Sequence, residues 1–273
     1  MSPMDHAELD RLLEELHAAG AAEIMEAITR LQSRLRSLDL SQLPRAVEAI
    51  CDLFYIDLFD RPDLQPALDR AEEALAEAAG AGPSVIPLLI RQMEGSDIKS
   101  HMHLARVLGR IGTPALSHLR RVVATSEDPY GRSFALFAIG KIKSPAVHEA
   151  LPEVVGALMH PDKEVRDSAA RTVGKIVEVV APLDLSERRR TEMYEALCRV
   201  ISDPLPALRA KATRSLGKMA QRGYLDSTQR RDLRARLESL VTRGETTDWD
   251  RAFIVRRQAQ EALDALDRAR DDG

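Results

Sequence analysis

The sequence predicts an all-α chain, an α-solenoid of about seven stacked antiparallel helix pairs. Three observations predict it. Four segments of the 273-residue chain align on a single glycine. A second amphipathic stretch precedes each segment, with a proline or a short polar turn between the two. Aromatic residues make up only 4% of the chain, which argues against a large sheet, because aromatics favour strands.

The aligned segments are IKSHMHLARVLGRI (98–111), PYGRSFALFAIGKI (129–142), KEVRDSAARTVGKI (163–176) and PALRAKATRSLGKM (206–219), and their glycines are Gly109, Gly140, Gly174 and Gly217. An aliphatic residue precedes each glycine and a basic one follows it. The residue five before is Leu104, Ala135, Ala169 or Ala212, and the residue eight before is His101, Arg132, Arg166 or Arg209. The apolar offsets fall on one face of a helix. Small residues in that stripe let a second helix pack close. Self-similarity at a period of roughly 20–50 residues is the mark of a repeat architecture, and here the spacings are 31, 34 and 43 residues. Residues 255–266 are a fifth copy with Asp264 in place of the glycine, as expected of a terminal repeat.

Taken in chain order, Leu9, Leu12, Leu13 and Leu16 form one apolar stripe, and Ile24, Ile28, Leu31, Leu35 and Leu38 form a second at coiled-coil-like spacing. Two antiparallel helices turning near Gly20 explain both. An N-terminal cap on the solenoid and a dimerisation hairpin are the two readings, with a monomer favoured. The next pair is expected at 43–56 and 63–79, with residues 68–79 as a weak copy of the repeat. Further on, 84–94, 115–126, 148–160, 187–202 and 228–243 each supply helix A, and the aligned segment that follows supplies helix B. Asp128-Pro129, His160-Pro161-Asp162 and Asp203-Pro204 mark the turns between A and B.

The string HPDKEVRDSAARTVGKIV, with its Val-Arg, Ala and Gly-Lys-Ile positions, resembles the HEAT repeat, and within it the bacterial HEAT-like repeats first described in phycobilin lyases. The resemblance implies a right-handed superhelix with the B helices on its concave surface. It implies degenerate hairpins capping the array at 1–83, repeats at 84–266 and a tail at 267–273. It also implies that Arg132, Arg166, Arg209 and Arg256, with Asp128, Asp162, Asp203 and Asp250, bond turns and neighbouring repeats in a ladder.

Charge is uneven. Residues 1–96 carry a net −10 and residues 97–273 a net +6, which together make the overall −4. Three before the glycines stand Arg106, Phe137, Arg171 and Arg214, and one after stand Arg110, Lys141, Lys175 and Lys218. Residues four apart share a helix face, so stacked repeats align these columns into a basic ridge. Lys211 widens the ridge, Phe134 and Phe137 interrupt it with an apolar spot, and Glu261 and Ala265 end it. One reading is a solvated face. The other is an anion-facing groove, since clustered cations focus field on anionic ligands.

Catalytic constellations are missing. There is no HExxH motif, Walker loop or glycine-rich dinucleotide fingerprint. His101 and His103 are two apart and cannot chelate together, and the single His148-Glu149 pair falls short of the several that di-iron HEAT-type hydroxylases use. Cys51 and Cys198 are expected to be buried small hydrophobes. Nothing marks a bilin pocket, and no metal or cofactor is expected. The N-terminus has no basic or apolar leader region, so a cytoplasmic protein without a membrane span is expected.

The expectation is therefore a non-enzymatic scaffold or adaptor. Its basic groove, built from Arg106, Arg110, Phe134, Phe137, Lys141, Arg171, Lys175, Lys211, Arg214 and Lys218, would accept an acidic or amphipathic segment of a partner protein. The alternative is a nucleic-acid binder of the DNA-glycosylase HEAT-like kind, for which Trp249 and Asp250 are the nearest aromatic and acidic candidates, although both lie outside the ridge.

Overall fold

The computed structural model describes residues 4–18, 20–81, 85–95, 97–243 and 249–271. Among these, all regular structure is helical. Backbone contacts divide the chain into two units, 1–122 and 123–273. The expected boundary at 83/84 and the last two residues of the expected tail lie outside the described residues. Gly20, where the first hairpin is expected to turn, is the residue from which the helix Ala21–Arg34 starts.

The first unit contains α1 (His6–Glu15), α2 (Ala21–Arg34), α3 (Gln42–Asp52), α4 (Gln65–Ala81), α5 (Val85–Gly95) and α6 (Ile98–Ile111); α7 (Thr113–Thr125) spans the division. Helices α2, α4 and α6 pack in succession as one layer, and α1, α3 and α5 form the other. The N-terminal stripes are spent inside this unit. Leu9, Leu12, Leu16, Ile24, Ile28, Leu31 and Leu35 are all buried, in a unit where α1 and α2 pack on each other and on α3 and α4. Residues 65–81 form a full B helix packed on α6, which fits the weak copy read at 68–79. Asp5 and Asp97 begin α1 and α6 by accepting backbone N–H bonds from the first turn, which satisfies donors that the helix itself cannot pair.

The second unit contains α8 (Pro129–Ile139), α9 (Leu151–Ala157), α10 (Lys163–Val179), α11 (Glu187–Val200), α12 (Pro206–Gln221), α13 (Ser227–Val241) and α14 (Phe253–Asp271). The B helices α8, α10, α12 and α14 pack in that order. Pro129 and Pro206 stand in the first turns of their helices, where the missing N–H costs nothing. One element differs from expectation. The helix read at 148–160 opens as a 3-10 turn, Pro145–Ala150, and is α-helical only over Leu151–Ala157. Ser144 caps that turn by accepting from Ala146 N–H.

The glycine column has a steric cause. A Cβ on Gly140 would lie 3.3 Å from Thr172 Oγ1, one on Gly174 2.5 Å from Ser215 Oγ, and one on Gly217 3.0 Å from Ala262 Cβ. Each glycine is the point where the next B helix comes closest. The approach is fastened by hydroxyls. Thr172 Oγ1 donates to Leu136 O and Ser215 Oγ to Ala170 O, both at 2.8 Å and both buried. In each case the residue two before one glycine reaches the carbonyl four before the previous glycine.

The arginine eight before the glycine forms a second fastening. Arg132 Nε donates to Ser126 O in the turn before its helix. Arg166 Nη1 donates to His160 O and Pro161 O, while its Nε meets Asp203 of the next repeat at 2.8 Å. Arg209 repeats this with Asp203 O, Pro204 O and the Asp250 carboxylate. Arg256 Nη1 holds Asp250 O and Arg251 O. Each guanidinium thus closes its own turn and, at Arg166 and Arg209, reaches the aspartate of the following one.

Candidate binding face on the B helices

Helices α10 and α12 carry most of the expected basic residues of the second unit, while on α14 the matching columns hold exposed Glu261 and buried Ala265. Arg171 and Arg214 are exposed, and Lys175, Lys211 and Lys218 are half-buried. Lys141, just past the end of α8, is exposed and sits over the ring of half-buried Phe137, 5.0 Å from its centroid. Phe134 is also half-buried. The remaining two residues of the expected ridge, Arg106 and Arg110, are exposed on α6 in the first unit.

These cations are not bare. Asp167, on α10, lies 3.8 Å from Arg171 Nη2 on its own helix and contacts Lys211 Nζ on α12. Glu178 accepts from Lys175 Nζ at 2.9 Å and from Lys218 Nζ at 2.7 Å. Burial pushes the Glu178 carboxyl up, but Lys218 and Lys175 outweigh it and hold the group below the ordinary range. In the first unit Arg106 meets buried Glu72 at 3.0 Å and Arg110 meets Glu73 at 3.7 Å. Glu72 also binds His103 Nδ1 at 2.8 Å, and the His103 ring stacks on Phe54. The columns therefore point outward as the repeat register requires, but acids from the same or the adjacent B helix neutralise much of their charge.

Arg214 is different. Its Nε donates to the neutral amide oxygen of Gln258 at 2.6 Å. Beside it a pocket of about 370 Å³ opens between α12 and α14, floored by Gly217, Ala262 and Ala265 and edged by Arg214, Lys218, Gln221, Gln258, Glu261 and Arg268. Three cations face one acid there. Glu261 and Ala265, expected to end the ridge, line this pocket instead, and Arg268 adds a cation that the repeat alignment did not include. The small floor residues that let α12 and α14 touch leave the space between the long side chains open.

Other candidates take structural places. Asp250 is buried and held by both nitrogens of the Arg209 fork, at 2.6 and 2.9 Å. Burial would raise its carboxyl, but Arg209, the Ala252 N–H and the Arg256 charge overcome that and keep it low. Trp249 lies under Arg256, 4.1 Å from ring centroid to guanidinium carbon. The two residues singled out for base chemistry are thus committed to the ladder and its end. Cys51 and Cys198 are both buried, and desolvation pushes both thiols up. Among the described residues no group of three His, Cys, Asp or Glu side chains could hold a metal, and no helix is long and apolar enough to cross a membrane.

Asp167, Glu178, Gln258 and Arg268 are the residues of the face that sequence reasoning passed over. The spacing of Asp167 four before Arg171, and of Glu178 three after Lys175, signals pairing along one helix. Their second partners, on α12, have no local signal.

Residues 121–188 match the family described as HEAT repeats. Compared by sequence, no curated protein matches the chain. Among solved structures, importin beta in an ammonium sulfate condition is similar with a TM-score of 0.60 at 15% identity, over 96% of this chain and 36% of that one. An archaeal HEAT-like repeats protein from Thermococcus onnurineus is similar with a TM-score of 0.55 at 15% identity, over 98% and 99% of the two chains. Cex1p gives 0.50 at 16%, over 97% and 53%. At these identities the likeness is one of fold.

Proposed function

We propose that this member of the HEAT-repeat family is a non-enzymatic scaffold that binds a protein partner by an acidic or amphipathic segment laid on the B-helix face of residues 123–273. One observation carries the reading. The pocket between α12 and α14 gathers Arg214 and Arg268 against the single acid Glu261, with Lys218 beside them already paired to Glu178, so a carboxylate is favoured there. Lys141 over Phe137 offers a second place, where a cation and an aromatic ring stand together. Such a pair suits a segment that alternates acidic and apolar residues. The B helices hold these side chains on a rigid frame, so no backbone has to be ordered when a partner binds.

The test removes charge where it is not spent on internal pairs. Affinity purification with quantitative mass spectrometry compares the native chain with a Lys141→Gln/Arg214→Gln/Arg268→Gln variant. An Arg188→Gln/Arg189→Gln variant on α11 serves as the control. The partner is expected to fall at least about tenfold with the first variant and to stay with the second. Equal recovery from all three chains would overturn the assignment to the B-helix face.

A further inference from the structure

Two carboxylates of α10 break the basic face. Asp167 touches Arg171 on its own helix and Lys211 on the next; Glu178 touches Lys175 on its own helix and Lys218 on the next. Their side chains are 17% and 32% exposed, so both are partly buried among the cations they pair with. Of the seven basic residues of the face in the second unit, the four that Asp167 and Glu178 touch thus carry a built-in counter-charge. Lys141 and Arg214 do not share it: the first lies over an aromatic ring and the second donates to an amide.

This arrangement treats two kinds of anion differently. A nucleic-acid backbone binds by neutralising consecutive phosphates and releasing counterions. Here the cations that a backbone would need are already neutralised, so few ions are left to release. A phosphate brought to them also meets a fixed carboxylate of its own sign, and like charges in apposition are a means of rejecting wrong partners. A protein segment with separated carboxylates avoids the cost, because it can use Lys141 and the Arg214 pocket and leave the bridged pairs alone.

We infer that Asp167 and Glu178 are specificity-determining residues, which keep nucleic acid and other polyanions off the face while leaving it open to isolated acidic side chains of a protein. The inference deepens the scaffold reading and rests on it for the ligand that is admitted. The exclusion itself is tested without that ligand.

The experiment measures fluorescence anisotropy of a labelled duplex of about 20 base pairs and of its single strand, at about 50 and 150 mM salt. Three full-length chains are compared: native, Asp167→Asn/Glu178→Gln, and the same variant with Arg171→Gln/Lys175→Gln added. The double variant is expected to bind at least about tenfold tighter than native. Its logarithmic salt slope should be steeper by about two, from roughly 0.9 for each of the two net positive charges unmasked when the two carboxylates are neutralised. The quadruple variant is expected to lose most of that gain, which separates released cations from a general loosening of the fold. Native-level binding by the double variant overturns the inference. So does tight oligonucleotide binding by the native chain, or a gain that survives in the quadruple variant. None of these results depends on the protein partner, whose loss or retention in the affinity purification judges the scaffold reading separately.

Discussion

Arg209 holds Asp250 with two parallel bonds, Nε to Oδ2 at 2.6 Å and Nη2 to Oδ1 at 2.9 Å, 41 residues apart in the chain. The Asp250 side chain is 5% exposed and the Arg209 side chain 17%. Removing one partner from so buried a pair leaves the other charge stranded. Arg209→Met is therefore expected to cost about 3–5 kcal/mol, read as a fall in the urea midpoint. Arg209→Met/Asp250→Asn should cost less than the first change alone. A double variant no more stable than Arg209→Met would show that the stranded charge is not the cause.

The same pair sets an acid dependence. Asp250 and Glu178 are both held below the ordinary carboxylate range in the folded chain. The unfolded chain takes up those protons first, at a pH of about 4. Their contribution is then complete above that value and is lost as pH falls through the lower folded values. Melting temperatures between pH 7 and pH 3 should fall more for the native chain than for Arg209→Met/Asp250→Asn. Parallel curves would remove Asp250 as a source of the dependence.

Three glycines predict three different outcomes. A methyl at Gly217 meets the backbone Cα of Ala262 at 3.2 Å, so α14 itself has to move. At Gly174 the obstacle is the Ser215 side chain, which is tied to Ala170 O. At Gly156, in α9, nothing lies within 4 Å. Gly217→Ala is expected to destabilise by about 1–3 kcal/mol or more. Gly174→Ala should do so in a way that is not additive with Ser215→Ala. Gly156→Ala should stabilise by about 0.5–1 kcal/mol through helix propensity. A different rank order in denaturant midpoints would show that close approach does not govern the column.

Tyr224 follows Gly223, whose φ of +75° favours glycine, and its hydroxyl donates to Val180 O at 2.7 Å where α10 ends. Burial pushes its phenol up to about 12. Tyr224→Phe leaves that carbonyl without its donor and is expected to cost about 1–3 kcal/mol with an unchanged denaturant slope. An unaltered midpoint would mean that water replaces the hydroxyl.

What was legible in the sequence is what recurs in register. The helix pairs, the outward columns and the arginine ladder all repeat, so a requirement felt once is written several times. The glycines stood out for the same reason, but the hydroxyls of Thr172 and Ser215 did not, because Val107 and Ala138 occupy the same column elsewhere. The pairing of Lys211 with Asp167 and of Lys218 with Glu178 was invisible for another reason. It depends on which side chains of two helices meet across a gap of about forty residues, and no local spacing records that. The 3-10 opening before α9 was missed because its apolar pattern alone does not distinguish a tight turn from an α-helical one.

Trp249 is the one tryptophan of the chain, and it is stacked against Arg256, the last arginine of the ladder, with Arg243 at 5.6 Å from the same ring. Its emission is consequently a local gauge. A shift in its spectrum registers the C-terminal repeat coming away from α12, whereas far-ultraviolet circular dichroism registers the helices of the whole array at once. Followed together during denaturation, the two signals report whether the array melts as one body or peels from its end.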